Sequence, residues 1–545
     1  MARTLRGVTP KLKALGGFLP LGVFWVLPLA VGLAAAFNST FDGTAWSALF
    51  SHPQFWPALT LSIVAGSLSL VLSTLLAFWI IAGLYRTPSL QKLMGGFLSL
   101  PHLAFAIGFG FLIMPSGLIA RILGTFLGWA SPPLWITTQD PLGVSLVAAL
   151  VLKEVPFIIW LITSLMARPD FSQMLNAHLR IGQSLGHGSA SIWLRLLIPQ
   201  ILPRLKWPLL IVWVYGASVV DMALAIGPTQ PPPLAVVIWT DLNNVDQAIN
   251  VRGSVGAIFL TVTLIAIALF FHILMKILMP LIKQFFTHGS VASAVPRRNA
   301  KVILMSITIV YILVFLLLSI MSFASLWPYP NLWPSQFRLA AWASLLNSPS
   351  PVINSLSFAV TSTIAALTLA VLWFETVNEN LDRYLLALTV AALAFPSLLI
   401  ADGQYLLFLR LGLNGTWFGV FFAHLTPVFA YVFIVLKGPY RAFDPRYRSV
   451  SLALNASALR FWVAVKIPLM KPVLAAAAAV GIGVGIAQYV PVQLIASGRL
   501  STLTIEAVTL SSGGNRQLLA VYSLMLMVIP LLAFMAASRF ERRTT

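Results

Sequence analysis

Apolar runs of about twenty residues recur along this chain, each long enough as a helix to cross a hydrocarbon core roughly 30 Å thick. Twelve can be placed, at 16–37, 57–85, 96–114, 142–166, 207–227, 256–279, 302–323, 355–374, 385–408, 418–436, 473–494 and 518–536. Backbone polar groups in lipid must be satisfied within the segment, which makes helices the expected elements. The expected class is therefore an all-α polytopic membrane protein. Composition agrees, since 59% hydrophobic and 9% charged residues over 545 positions exclude a water-soluble globule. Arg3, Arg6, Lys11 and Lys13 precede the first run like the n-region of a signal peptide. The length of that run and the spans behind it favour an uncleaved anchor.

The net charge of +20 raises nucleic acid as a partner, and its distribution argues against it. With a cytoplasmic N-terminus, 27 of the 34 Lys and Arg fall in segments on the cytoplasmic side, the positive-inside pattern. No hydrophilic domain exists to carry a basic surface for a duplex. One loop departs from the pattern, because Glu375, Glu379 and Asp382 outweigh Arg383. The absence of cysteine excludes disulfides, thiolate metal sites and cysteine catalysis. His102, His178, His187 and His424 show no ligand spacing, so structural or interfacial roles are expected and no metal or cofactor.

The two halves share a pattern that subtraction exposes. Ser62 and Ser67 match Ser357 and Ser362, and Pro101 and Gly108 match Pro396 and Gly403, all 295 positions apart. The offset falls to 271 for Pro156 and Pro427 and to 269 for Pro199 and Pro468, a drop explained by the longer loop Pro115–Pro141 of the first half. A near-constant offset is the signature of duplication. Six spans return the chain to its starting side, so the repeats are parallel. The division is a first repeat at 1–285, a cytoplasmic linker at 286–301 and a second repeat at 302–545.

Within the basic loops 168–206 and 437–472, one device occurs twice. Gly182-Gln183-Ser184-Leu185-Gly186 leads to Ile198-Pro199, and Ser451-Leu452-Ala453-Leu454-Asn455 leads to Ile467-Pro468. Gly and Asn enter the left-handed region most readily, so a helix can stop at Gly186 or Asn455, turn and restart. That gives a short helix–turn–helix outside the membrane in each half.

These loops resemble the cytoplasmic loop of ABC-importer permeases, whose pattern is Glu-Ala-Ala-x3-Gly-x9-Ile-x-Leu-Pro. Arg180-Ile181-Gly182, Gly186, Leu196 and Ile198-Pro199 fit it in the first half; Ser449-Val450-Ser451, Asn455, Val465 and Ile467-Pro468 fit it in the second. Both lack the acidic first residue, and the second also lacks the Gly. The resemblance covers the whole chain and is strongest to fused twelve-span permeases of the iron(III) and thiamine type. It implies that each elbow docks in a cleft of an ATPase subunit, two copies in all, with Gly182, Ser184, Ser451 and Ala453 permitting close approach. Leu185 and Leu454 would be apolar anchors, and Arg180, Arg195, Arg448 and Arg460 would face acidic groups. The alternative for both loops is an amphipathic segment on lipid headgroups.

No Gly-x4-Gly-Lys-Ser/Thr phosphate cradle and no His-Glu-x-x-His pair occurs, so energy must come from a separate subunit. Polar residues at membrane depth usually face a bundle interior or a cavity. Glu154, Asp221, Asp402, Gln404, His424, Gln488 and Tyr489 are the candidates for a translocation path, with interhelical bonding as the alternative for each. Lys153 and Glu154 point about 100° apart, so Glu154 can face the path while Lys153 packs or snorkels. Asp221 and Gln488, 267 apart, form the matched pair. Pro101, Pro156, Pro396 and Pro427 are expected to kink their spans. Trp46, Trp56, Trp129, Trp135, Trp327 and Trp333 fall at expected external interfaces.

The reading is an ABC-importer permease, multi-pass in a bacterial inner membrane with both termini cytoplasmic. A periplasmic solute-binding protein would dock at edges near 228–255 and 495–517. The rival is an ion-coupled secondary transporter, also commonly built of six plus six spans; the repeated motif in the longest cytoplasmic loops argues against it.

Overall fold

The computed structural model describes residues 10–87, 89–287 and 297–541. The basic residues Arg3, Arg6, Arg542 and Arg543, and 288–296 of the expected linker, lie outside them. Among the described residues, eleven helices are long and apolar enough to cross a membrane, twelve if one bent pair is counted as a single span. The fold is all-α, apart from a two-stranded antiparallel ribbon, Ala324–Leu326 with Gln336–Phe337.

Matching prolines divide the helices just ahead of the third crossing and within the bent pair of the second half. Helix Leu90–Leu98 stops before Pro101 and His102–Ile113 restarts; Asp382–Ala394 stops before Pro396 and Ser397–Arg410 restarts. The second pair is bent by 99°. Proline has no N–H and forces the preceding residue out of the helical region. Phe395 accordingly sits at φ −80°, ψ 142°. Pro156 and Pro427, by contrast, lie inside uninterrupted helices, Val144–Met166 and Trp417–Arg441. The expected fifth and eleventh spans begin earlier than placed: Ser189–Ser218 and Ala458–Ile486 each run from an elbow into the membrane as one helical rod.

The chain separates into two compact units. One is Met1–Phe41, Leu346–Ala507 and Met525–Thr545; the other is Asp42–Leu345 and Val508–Leu524. Each half's leading span is therefore packed with the other half's helices. In the first unit, Trp25 is buried against the ring of Phe429 at 4.8 Å and donates Nε1 to the Thr426 carbonyl at 2.9 Å. Gly32 crosses Gly403 so closely that a Cβ on Gly403 would meet the Gly32 carbonyl carbon at 2.6 Å. In the second unit, the seventh span Arg297–Met321 stacks Tyr311 on Phe97 at 4.2 Å and donates its hydroxyl to the Leu152 carbonyl. Small residues let these helices approach, as the dispersion-driven packing of membrane helices requires.

Serines fix an inner joint in each unit. The Ser62 hydroxyl accepts from the Leu234 amide at 2.8 Å, and the Ser355 hydroxyl accepts from the Leu503 amide at 2.9 Å. These amides open helices Leu234–Leu242 and Leu503–Ser511, where the backbone has no intrahelical acceptor. The residues in equivalent roles are thus Ser62 and Ser355, 293 apart, rather than Ser62 and Ser357. A two-residue length difference before the Pro101 and Pro396 breaks restores the 295 spacing there.

Candidate functional site: paired elbows and buried polar groups

The elbows are near copies in backbone. Helix Pro169–Ser184 ends with Gly186 at φ +77°, and Arg446–Ala453 ends with Asn455 at φ +55°. In the first, the His187 amide reaches the Gly182 carbonyl and the Gly186 amide that of Gln183; in the second, Ala456 reaches Ser451 and Asn455 reaches Leu452. Both are the double-bonded turn that closes a helix with one left-handed residue. Asn455 does the work of the Gly that the second loop lacks. Each chain restarts, then widens into a π-turn, Trp193–Leu197 and Trp462–Lys466, just before Ile198-Pro199 and Ile467-Pro468. There the amides of Ile198 and Ile467 bond back five residues to Trp193 and Trp462. The widened turn accommodates a proline that cannot donate to the residue four before it.

Exposure sorts the residues expected to dock. Leu185 is 69% and Leu454 77% exposed, and Ser184, Ala453 and Arg180 also face outward. Gly182 and Ser451 are buried instead, and Gly182 faces the elbow's own second arm. A Cβ on Gly182 would lie 2.8 Å from Ile192, so this glycine closes the elbow rather than meeting a partner.

The membrane-depth groups resolve individually. Lys153 is fully buried and donates to the carbonyls of Phe97 and Leu100, at 3.2 and 2.7 Å, capping the helix that ends before Pro101. Its charge is placed at a helix C-terminus, where the dipole favours a cation. Glu154 is buried too and lies 3.3 Å from His102 Nε2, whose ring stands 4.8 Å from Tyr215. The pairing of His102 with Glu154, 52 positions apart, has no signal in the sequence. Asp221 does not sit within a span helix; it opens Asp221–Ile226 after a break at Val219–Val220. Gln488 and Tyr489 occupy the corresponding break between Ile467–Ile486 and Val490–Ala496. In the 269 register of the elbows, Asp221 aligns with Val490 and Gln488 with Val219, so the expected pair shares a break but not a position. Asp402 is fully buried next to the Gly32–Gly403 crossing, and Gln404 donates to the Thr426 hydroxyl at 2.8 Å. His424 stacks on Phe358 at 5.1 Å, with Nδ1 2.9 Å from the Val420 carbonyl.

Residues 376–545 match the family described as binding-protein-dependent transport system inner membrane component. Over 511 residues the chain is 30% identical to the inner membrane ABC transporter permease protein YnjC of Escherichia coli (strain K12), covering 93% of this chain and 92% of that protein. The chain belongs to the ABC transporter permeases. It is a multi-pass inner membrane protein and the permease subunit of an ABC importer, a family that works with ATPase and solute-binding partners. Membership decides against the ion-coupled transporter. The acidic loop of the permease now has an explanation as well. Asp382 accepts from Arg441 Nε at 2.8 Å and Nη2 at 2.9 Å, and Glu375 accepts from Lys466 at 2.5 Å. These carboxylates neutralise basic groups near the second elbow, a pairing that no sequence spacing announces.

Proposed function

We propose that the two elbows are the surfaces through which two ATPase subunits drive this permease, one elbow to each. The carrying observation is that two loops of different sequence adopt one backbone, a left-handed helix stop followed by a π-turn and proline, and each continues directly into a span. A rigid rod from elbow to membrane is what force transmission needs. ATP hydrolysis is left to those subunits, and ATP-driven approach of the elbows opens the path toward a periplasmic solute-binding protein. That protein docks near 228–255 and 495–517. Glu154 and Asp221 in one unit and Asp402, His424, Gln488 and Tyr489 in the other contribute polar groups to the path. The chain is read as two fused repeats, 1–285 and 302–545, with termini in the cytoplasm, of the iron(III) and thiamine type. The two serine joints, the two proline breaks and the two elbows support the duplication.

The test uses Leu185→Cys and Leu454→Cys, since Ser451 is too buried to label. A membrane-impermeant thiol reagent should reach both positions from the cytoplasmic face only, and co-purified ATPase subunits should block it. Labelling from the periplasmic face alone refutes the assignment.

A further inference from the structure

We propose that Glu375 is a positioning residue that ties the second elbow to the membrane bundle, so that the two elbows transmit motion through different joints. The proposal rests on reading the elbows as ATPase contacts. Glu375 stands in the last turn of helix Ser350–Thr376, and its Oε1 gathers three donors. Lys466 Nζ lies at 2.5 Å, the Tyr440 hydroxyl at 2.6 Å and Trp462 Nε1 at 3.4 Å. Trp462 and Lys466 are the two ends of the elbow's π-turn. Tyr440 belongs to the end of Trp417–Arg441. One carboxylate oxygen therefore joins the elbow to two spans at once. The Lys466 ammonium, 14% exposed, also sits 4.4 Å from the Tyr440 ring and 5.3 Å from Phe443. Charge-assisted bonds of this kind are short and directional, and partial burial shields them from solvent screening.

The first elbow differs at the two positions that match Trp462 and Lys466. Position 197, the counterpart of Lys466 at the 269 offset, is Leu197, which is buried. Trp193, the counterpart of Trp462, packs its ring on Tyr85 at 5.4 Å. An aromatic contact resists compression and allows sliding, whereas converging hydrogen bonds resist displacement in several directions. Asp382 provides an internal contrast. It binds Arg441 and the Trp373 indole, and so holds spans together without touching the elbow.

The experiment uses the full chain with its co-purified ATPase, reconstituted in proteoliposomes, and reads uptake per ATP hydrolysed for cell-extract solutes delivered by the matching binding protein. Glu375→Gln should keep ATPase association and hydrolysis within about twofold and lower uptake per ATP about tenfold, the scale of one lost charge-assisted bond. Glu375→Asp, which retains the charge but is one methylene short of the donors, should show the same split if Glu375→Gln fails to accumulate. Lys466→Arg, which keeps the cation facing Glu375, should retain most of the wild-type ratio. Asp382→Asn should reduce yield while the protein that survives keeps its uptake per ATP. An unchanged ratio in both Glu375 variants, or an equal loss in Asp382→Asn, overturns the proposal. Failure of any ATPase to co-purify with the wild-type chain would instead refute the elbow assignment itself.

Discussion

Single residues carry stresses that the sequence marks only weakly. Lys153 is a buried cation whose hydrogens cap two carbonyls at a helix break. Lys153→Met removes the donor and leaves both carbonyls without their partner, at an expected cost of about 2–4 kcal/mol. SDS titration of the purified permease followed by circular dichroism should show the loss; an unchanged midpoint would mean that the cap contributes nothing. At the elbows the backbone predicts an asymmetry. Gly186→Val places a β-branched residue at φ +77° and should destabilise the elbow by about 1–2 kcal/mol, whereas Asn455→Gly at φ +55° should be neutral or slightly stabilising. Hydrogen exchange at the amides of 182–192 and 451–461 reads each elbow separately.

At the scale of elements, the crossing of Gly32 with Gly403 sets the fit of the first span. Gly403→Leu would press a side chain into the Gly32 backbone, and the helix must withdraw, at an expected cost above about 2 kcal/mol. Trp25 reports the result, because its indole leaves a buried site bonded to Thr426 and its fluorescence should shift red. Elements of this kind were largely legible in the sequence. Apolar run length located the crossings, and Gly186 and Asn455 located the elbow stops, since only a few residue types tolerate that backbone. The breaks at Pro101 and Pro396 announced themselves through proline chemistry. All four prolines are expected to kink their spans, and Pro156 and Pro427 lie inside continuous helices where neighbours can satisfy the freed carbonyls. Pairings across long separations were invisible: Glu154 with His102, Glu375 with Lys466 and Asp382 with Arg441 follow from how helices are placed. The 293 serine offset was missed for a simpler reason. Serine is common, and a two-residue slip still found serine at both ends.

For the whole molecule, the exchange of leading spans makes each half depend on the other. Residues 1–290 produced alone would lack the seventh span, with Tyr311 missing from the Phe97 ring, and would leave Trp25 with no Phe429. Neither half alone should accumulate in membranes, while co-expression of 1–290 and 291–545 should restore a complex recoverable through a tag on either piece. Stable accumulation of 1–290 by itself would refute this dependence. The interval between partners also bears on biosynthesis. Trp25 enters the bilayer early, yet the carbonyl it bonds lies 401 residues further along the message. At a bacterial ribosome's pace of roughly 5–20 residues per second, the first helix waits tens of seconds among lipids or in the care of the insertion machinery. Nascent chains that stall anywhere in that interval expose an unclaimed indole and a bare glycine face, a mark by which a membrane protease can tell an unfinished transporter from a complete one.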